Sequence, residues 1–471
     1  MRGSESAVVK DSDGGCPPRL NRLIASLAVP AVVSNITVPL LGLSDTAISG
    51  HLGSTAYLGA MAVAAMMLNV VTWLCGFLRM GTTGLTAVAY GAGDTEAQWR
   101  TLVRSVTIAL CIGIVSVCLQ VPLVRLFMWW TGAAGEVGDY AALYFSIAVW
   151  GIPPALATMA MSGWFIGMQN TVWPMAVAIV TNLLNIGLSL LLAVLLDYGF
   201  EGVAWGTACA NWLGALIIAG AVMWRMRGVK RPKWSRLLGR GGWSRYFTVN
   251  INLFLRSACV MAVSVSMTSV GSRLGEEILA ANALMMQFFI FFSFVMDGLA
   301  FAGEALTGRY AGAGKRESLL AAVRRLLLWS AVMAVVFSVI YTLWAPDIMA
   351  LITDLPGVVA TASGYKIWLS LLPLLTVCAF IFDGFYIGML HTRQMLYATL
   401  AGMSVFMLLT FVHIDAGRLI FGLPGNAMLW SAFLAWLAVR GGVLGLLLPR
   451  LLSEQTVTWL AHLHDNNTKT P

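Results

Sequence analysis

Charged residues are scarce in this sequence. Asp, Glu, Lys and Arg together make up 11% of its 471 residues, whereas an ordinary soluble domain carries about 25%. Hydrophobic residues make up 59%, and the mean hydropathy is +0.81. A water-soluble globule of this length could not bury so many apolar side chains. The composition therefore excludes a soluble enzyme, a disordered protein and a nucleic-acid-binding module.

Cysteine pairs and enzymatic motifs are also missing. The seven cysteines form no C-x-x-C pair, so neither a disulfide framework nor a thiolate zinc site is supported. The sequence contains no P-loop, no nucleophile elbow and no metalloprotease helix. We therefore expect a protein that is not an enzyme, holds no cofactor or metal, and is not driven directly by ATP.

What the sequence does contain is a series of long apolar runs. A membrane-spanning helix needs about 20 apolar residues, and twelve runs meet that length. They lie near residues 21–48, 55–90, 99–124, 140–166, 173–196, 202–225, 245–271, 278–308, 319–345, 361–390, 395–414 and 425–449. The sequence thus predicts an all-α integral membrane protein with twelve transmembrane helices and both termini on one side.

The basic residues test this count. With a cytoplasmic N-terminus, 22 of the 29 Lys and Arg fall in cytoplasmic segments, four fall outside, and three (Arg79, Arg256 and Arg440) lie within spans. This is the distribution of the positive-inside rule, and it predicts a multi-pass protein of the cytoplasmic (inner) membrane. The basic segment between the sixth and seventh runs is typical of an anchor beside anionic lipid rather than of a nucleic-acid site.

An internal repeat divides the chain. The segment GWFIGMQNT at 163–171 returns as GFYIGMLHT at 384–392, a shift of 221 residues. Two six-helix lobes with the same orientation follow, related by an axis along the membrane normal, which is a transporter architecture with its site between the lobes. The predicted units are a cytoplasmic N-terminal tail, an N-lobe, a basic cytoplasmic linker, a C-lobe and a cytoplasmic C-terminal tail, at 1–20, 21–225, 226–244, 245–450 and 451–471.

Four acids lie within spans: Asp45, Asp297, Glu304 and Asp383. A charge near the centre of a span costs about 2.5–3.5 kcal/mol, so each acid needs a partner, a proton or a water-filled cavity. Asp45 follows Pro39 by six residues, and a carboxyl in apolar surroundings can bind and release a proton. Its structural alternative is a hydrated carboxyl near the end of the first span.

Polar side chains on the fifth and sixth spans are possible partners of Asp45. Asn182, Asn185 and Ser189 share one helical face, and Thr207 lies on the next span. With Asp45 they would form either a proton site or an all-oxygen pocket for a hard cation. Contacts that simply join neighbouring helices are an equally good interpretation of the same spacing.

The C-lobe acids have a similar ambiguity. Asp297 and Glu304 share a helical face, with Arg256 and Arg79 as the expected midspan partners. A buried ion network and a substrate contact are both consistent with this pattern. We expect Asn182, Asp297, Glu304, Asp383 and Arg256 to line a substrate cavity.

Long segments of the sequence resemble one transporter family. LAVPAVVSNITVPLLGLSDTAISGHLGSTAYLGA and FLRMGTTGLTAVAYGAG in the first half, with DGLAFAGEALTGRYAGAG and FDGFYIGM in the second, look like the DinF branch of the multidrug and toxic compound extrusion (MATE) family. The resemblance implies a cytoplasmic-membrane antiporter that exports cationic or amphipathic organic compounds in exchange for protons or sodium ions by alternating access.

The same resemblance assigns the coupling residues. The family's first-span Asp, fifth-span Asn and sixth-span Thr fall on Asp45, Asn185 and Thr207. Where the family often has a second acid, this chain has Ser189, which favours protons over sodium. The expected partners are small organic substrates and membrane lipids, without nucleic acid, and the expected state is a monomer.

The alternative function is a lipid-linked oligosaccharide flippase of related architecture. Such cavities generally need several cations to hold a pyrophosphate. Here three midspan arginines face four midspan acids, and a cavity of net negative character favours cationic cargo.

Overall fold

The computed structural model describes residues 20–52, 54–229, 243–414, 425–453 and 456–458, and every regular element in these ranges is helical. Most of the predicted N-terminal tail, basic linker and C-terminal tail (1–20, 226–244 and 451–471) lies outside the described residues. Their predicted placement on the cytoplasmic side stays a prediction.

The helices follow one another with short connections. Their bounds are α1 Leu20–Gly50, α2 Thr55–Leu74, α3 Phe77–Gly91, α4 Thr95–Cys118, α5 Gln120–Thr131, α6 Gly135–Ala148, α7 Ile152–Gly167, α8 Val172–Leu190, α9 Gly199–Arg225, α10 Trp243–Arg273, α11 Glu276–Gly312, α12 Arg316–Ile352, α13 Pro356–Gly364, α14 Lys366–Gly388, α15 Thr392–Ile414 and α16 Gly425–Leu451.

Twelve segments of the described chain are long and apolar enough to cross a membrane, which confirms the predicted number. Their ends agree with the sequence to within a few residues for most spans. Large apolar side chains face outward along them, with Leu351 90% exposed and Leu446 83% exposed. Such a surface matches lipid rather than water, because apolar patches of this extent are rare on soluble proteins.

Several spans are interrupted in ways that the apolar pattern does not reveal. The predicted span 99–124 divides at Leu119, where α4 ends and α5 begins. Pro122 lies in the first turn of α5 and has no N–H to continue the α4 hydrogen-bond ladder. The fourth span divides in the same way, where a 3₁₀ turn at Val149–Gly151 precedes Pro153 at the start of α7. A span of constant hydropathy can therefore contain two helices.

The structure confirms the internal repeat. Gly163 packs against the backbone of Arg79, and Gly384 packs against the backbone of Ala300. These two contacts are related by the shift of 221 residues found in the sequence. Because a Cβ at either glycine would overlap the facing carbonyl, the repeated motif is needed for close helix packing.

The two lobes meet where α3 and α11 end. Gly91 of α3 lies against the carbonyl of Arg309, and Gly312 of α11 lies against the carbonyl of Val88. This pair of contacts again obeys the 221-residue shift. Asn35 of α1 donates a hydrogen bond to the carbonyl of Phe294 across the same interface, at 3.2 Å. The lobes are thus in close contact at the end marked by Gly91 and Gly312.

Candidate functional site

Asp45 is a buried carboxyl in the last part of α1. Asp45 is 8% exposed, and its Oδ1 has no hydrogen-bond partner within the described part of the chain. No ion pair described for this structure includes it. Because an ionised carboxylate without partners is costly in an apolar interior, this position suits a carboxyl that carries a proton or meets a cation.

Tyr144 of α6 interacts electrostatically with Asp45. It is 2% exposed. Its hydroxyl lies 3.2 Å from Oγ1 of Thr207 on α9. Thr207 donates its own hydroxyl proton to the carbonyl of Val203 at 3.1 Å. Tyr144 is therefore the donor to Thr207.

The Thr207 hydroxyl also accepts from the fifth span. Asn185 of α8 donates its amide to Oγ1 of Thr207 at 3.0 Å. Ser189 donates to Oδ1 of Asn185 at 3.5 Å. The structure thus joins Asn185, Ser189 and Thr207 into one network, as their spacing allows. No described hydrogen bond links Asp45 directly to these three residues, and its connection to them is electrostatic, through Tyr144.

Asn182 lies where α8 packs against α1. It donates its side-chain amide to the carbonyl of Thr37 in α1, at 3.2 Å. This contact joins α8 to the stretch of α1 just before Pro39. Asn182 thus helps to join two helices, and its place in the substrate cavity stays a prediction.

The C-lobe acids lie in an ion network. Asp383 of α14 accepts hydrogen bonds from both Arg256 of α10 and Arg440 of α16, and it is 7% exposed. Arg256, which the sequence predicts as a partner of Asp297 or Glu304, bonds instead to Asp383, and Arg440 joins it there. Residues 57 and 127 positions apart in the sequence come together only through helix packing, which helical spacing cannot show.

Glu304 and Asp297 lie two turns apart on α11. Glu304 accepts two hydrogen bonds from Arg79 of α3, at 3.1 and 3.4 Å. Asp297 is half-buried, makes no described hydrogen bond, and has Arg79, Arg256 and Arg440 as its electrostatic neighbours. Three arginines and three acids therefore balance in this region, whereas Asp45 stands without a described cation in the N-lobe.

Sequence reasoning missed the contact of Tyr144 with Thr207 and the pairing of Arg440 with Asp383. A tyrosine in the middle of a span usually needs a hydrogen-bond partner for its hydroxyl, and this signal could have identified Tyr144. Arg440 carries a comparable signal, because a midspan arginine requires an acid.

The family model MatE matches residues 30–191 and 253–412. The DNA damage-inducible protein F of Escherichia coli K12 is 35% identical over 421 residues, covering 88% of this chain and 89% of that protein. A probable multidrug resistance protein NorM of Thermotoga maritima is 25% identical, covering 73% and 74% of the two chains.

Solved structures share the fold. The crystal structure of the Vibrio cholerae MATE transporter VcmN in its bent form superposes with a TM-score of 0.81 at 18% identity, covering 93% of this chain and 98% of that one. The similarity extends across both lobes and nearly every span.

Proposed function

Because this chain belongs to the MatE family, whose members are membrane transporters rather than enzymes, we propose that it is a secondary antiporter of the cytoplasmic membrane. It exports cationic or amphipathic organic compounds in exchange for protons, and the two lobes give alternating access to a site between them. Sodium is the alternative coupling ion.

The observation that carries this proposal is the isolated carboxyl of Asp45. A buried acid with an unpartnered oxygen can hold a proton in one stage of the cycle and lose it in another, at modest cost to the fold. Cargo binding and protonation would be negatively coupled, so that each event displaces the other. A proton moving down a potential of 100 mV supplies about 2.3 kcal/mol, and a pH gradient adds to that.

The surroundings of Asp45 support protons over sodium. A bound metal cation needs several oxygen ligands with free lone pairs arranged around it. The network beside Asp45 consists of a tyrosine, an amide and two hydroxyls. Within it, the Asn185 amide and the Tyr144 hydroxyl already direct their protons at Thr207. Few oxygen lone pairs remain for a metal ion, whereas a single carboxyl is enough for a proton.

The state of the cycle follows from the basic residues. The positive-inside rule puts the Gly91 and Gly312 end at the cytoplasm. With the lobes in contact at that end, the described conformation corresponds to one closed toward the cytoplasm. In this state the proposed proton site would exchange with the outside.

The charge balance supports cationic cargo over a pyrophosphate-linked lipid. Arg79, Arg256 and Arg440 are each engaged by a carboxylate. None is left over to hold a pyrophosphate. A flippase would need that charge, because buried phosphate requires several cations or N–H donors.

Transport by inverted membrane vesicles tests the proposal. Ethidium serves as a fluorescent organic cation, and the vesicles carry either the wild-type protein or Asp45→Asn. We expect uptake driven by an imposed pH gradient in the wild type, and at least a tenfold lower rate in the variant. Asp354→Asn, at an exposed acid, is the matched control and should transport like the wild type.

Two results would contradict parts of this account. Undiminished transport by Asp45→Asn under a pH gradient would remove the coupling role of Asp45. Transport that follows a sodium gradient at fixed pH, and not a proton gradient, would establish sodium as the coupling ion.

A further inference from the structure

Arg79 reaches across the lobe interface into a site made by the other lobe. Its guanidinium binds both carboxylate oxygens of Glu304, at 3.1 and 3.4 Å. The guanidinium carbon lies 3.9 Å from the centre of the Phe301 ring. Arg79 is 16% exposed and Glu304 is 2% exposed, so both charges are largely withdrawn from solvent.

The residues around this guanidinium form a receptor for an organic cation. A carboxylate in bidentate geometry and an aromatic face are the two groups that bind flat delocalised cations best. Asp297 adds a second negative charge one turn beyond Phe301. Asp297, Phe301 and Glu304 all lie on α11, on one helical face. The C-lobe therefore supplies the receptor, and the Arg79 guanidinium of the N-lobe occupies it.

This arrangement depends on the closure of the lobes. The carbonyl of Arg309 lies against Gly91, and the Arg309 side chain donates to Oε1 of Gln169 at 2.7 Å. Gly312 makes the equivalent backbone contact with Val88. If the lobes separate at this end, α3 moves away from α11 and takes the Arg79 guanidinium with it.

Charge counting shows what the separation leaves behind. With Arg79 present, three arginines face three acids. Without it, Arg256 and Arg440 remain against Asp297, Glu304 and Asp383, and both arginines are already bound to Asp383. The C-lobe acids then outnumber the arginines by one, and Glu304 has lost its arginine partner. Leaving a buried charge unpaired is strongly unfavourable, so the vacated position attracts a cation.

We propose that Glu304, Phe301 and Asp297 form the cargo-binding subsite of the cytoplasm-facing state, and that Arg79 is a tethered cation that fills this subsite when the lobes close. The subsite takes planar organic cations with delocalised charge, such as guanidinium, amidinium or aromatic ammonium compounds. This inference rests on the proposed export function and specifies how cargo is taken up and released.

The proposal gives Arg79 a direct part in export. Cargo from the cytoplasm binds while Arg79 is withdrawn. As the lobes close, the guanidinium returns to Glu304 and displaces the cargo toward the opposite side. Cargo and lobe closure thus compete for one carboxylate, which is a coupling between binding and conformation.

Ethidium binding to the purified protein in lipid nanodiscs, measured by fluorescence polarisation, tests the aromatic wall. Phe301→Leu should raise the Kd for ethidium about threefold to tenfold, and Phe301→Tyr should keep the wild-type value because it preserves the ring. Phe291→Leu is the matched control on the same helix, since Phe291 is exposed and packs against Phe337. Its Kd should not change.

Arg79 variants test the tethered cation. Removal of the competitor in Arg79→Gln should tighten ethidium binding at least threefold and slow export. Arg79→Gln combined with Glu304→Gln should bind more weakly than Arg79→Gln alone, because the carboxylate is then missing. The double variant removes Arg79 and Glu304 together and leaves no unpaired buried charge, so it provides a folded comparison if Arg79→Gln alone is unstable. Arg79→Lys keeps the positive charge and provides a second folded comparison.

The outcomes separate this inference from the proposed function. The subsite would be overturned if Phe301→Leu kept the wild-type Kd and KM for ethidium. It would also be overturned if Arg79→Gln bound ethidium more weakly than the double variant. Either result would leave the proposed antiport intact. Binding that depends on Phe301 without any gradient-driven transport would overturn the antiport and leave the subsite. A wild-type protein that neither binds nor transports ethidium would overturn the assignment of planar organic cations.

Discussion

The four acids predicted to lie within spans divide into two kinds by their partners in the described part of the chain. Asp383 and Glu304 are held by arginines, and Asp297 lies among the same cations. Asp45 has no described charged partner and keeps one buried oxygen without a hydrogen bond. Since an acid bound to an arginine is stabilised in its ionised form, the balanced group favours fixed charges. The isolated Asp45 is the better candidate for a reversible proton carrier.

The Thr207 hydroxyl organises the network beside Asp45, and its removal provides a test at the residue scale. Thr207→Val keeps the shape of the side chain but leaves the Asn185 amide and the Tyr144 hydroxyl without their acceptor. Each buried polar group left unpaired costs about 1–3 kcal/mol. We expect Thr207→Val to lower the free energy of unfolding in detergent by that amount or more.

Thr207→Ser is the control for this variant, because it retains the oxygen. Its thermal unfolding midpoint should stay close to that of the wild type. Equal midpoints for the Val and Ser variants would show that the hydroxyl does not organise the network.

The sequence predicts part of this site and not the rest, for a physical reason. Asn185 and Ser189 are one helical turn apart, so helical spacing alone predicts that they can meet. Tyr144 and Thr207 lie 63 positions apart, and their contact depends on how the fourth and sixth spans pack. Helical periodicity contains no information about contacts between distant helices, which is also why the pairing of Arg440 with Asp383 was not predicted.

At the scale of elements, the apolar runs predict the spans well and the breaks within them poorly. The first run, predicted at 21–48, is helix α1 at Leu20–Gly50. The second run contains two helices, separated at Cys75 and Gly76. Hydropathy measures how strongly a segment prefers lipid to water. Because the residues on both sides of such a break are equally apolar, hydropathy does not reveal the break. Backbone geometry, which decides where a helix ends, depends on local caps and on proline.

The repeated glycines give a prediction at this scale. Gly384→Ala puts a Cβ against the carbonyl of Ala300 in α11, and overpacking of a tight contact costs about 1–3 kcal/mol. We expect a lower thermal unfolding midpoint for this variant. Gly442→Ala, at a helical position with no neighbouring atom within 4 Å, is the control. It should be neutral, or more stable by up to about 1 kcal/mol. If both variants unfold alike, close packing at Gly384 is not required.

Across the whole molecule, a symmetric scaffold carries an asymmetric distribution of charge. The 221-residue repeat relates the helix contacts of one lobe to those of the other, down to single glycines. The buried charges of the described residues do not follow this symmetry, because three arginines and three acids gather where Arg79 of the N-lobe meets the C-lobe, whereas Asp45 lies in the N-lobe without a described ion pair. Symmetry suits two lobes that rock against each other, and asymmetry allows one lobe to carry the proton while the other meets the cargo.

In the proposed exchange, Asp45 loses its proton when cargo binds. Infrared difference spectroscopy of the purified protein, recorded with and without ethidium, measures this directly. We expect a carboxylic acid C=O band to disappear when ethidium binds, with release of about one proton for each ethidium bound, and we expect Asp45→Asn to show neither change. A carboxyl that stays ionised throughout, or a band that is unaffected by ethidium in the wild type, would contradict the proposed exchange.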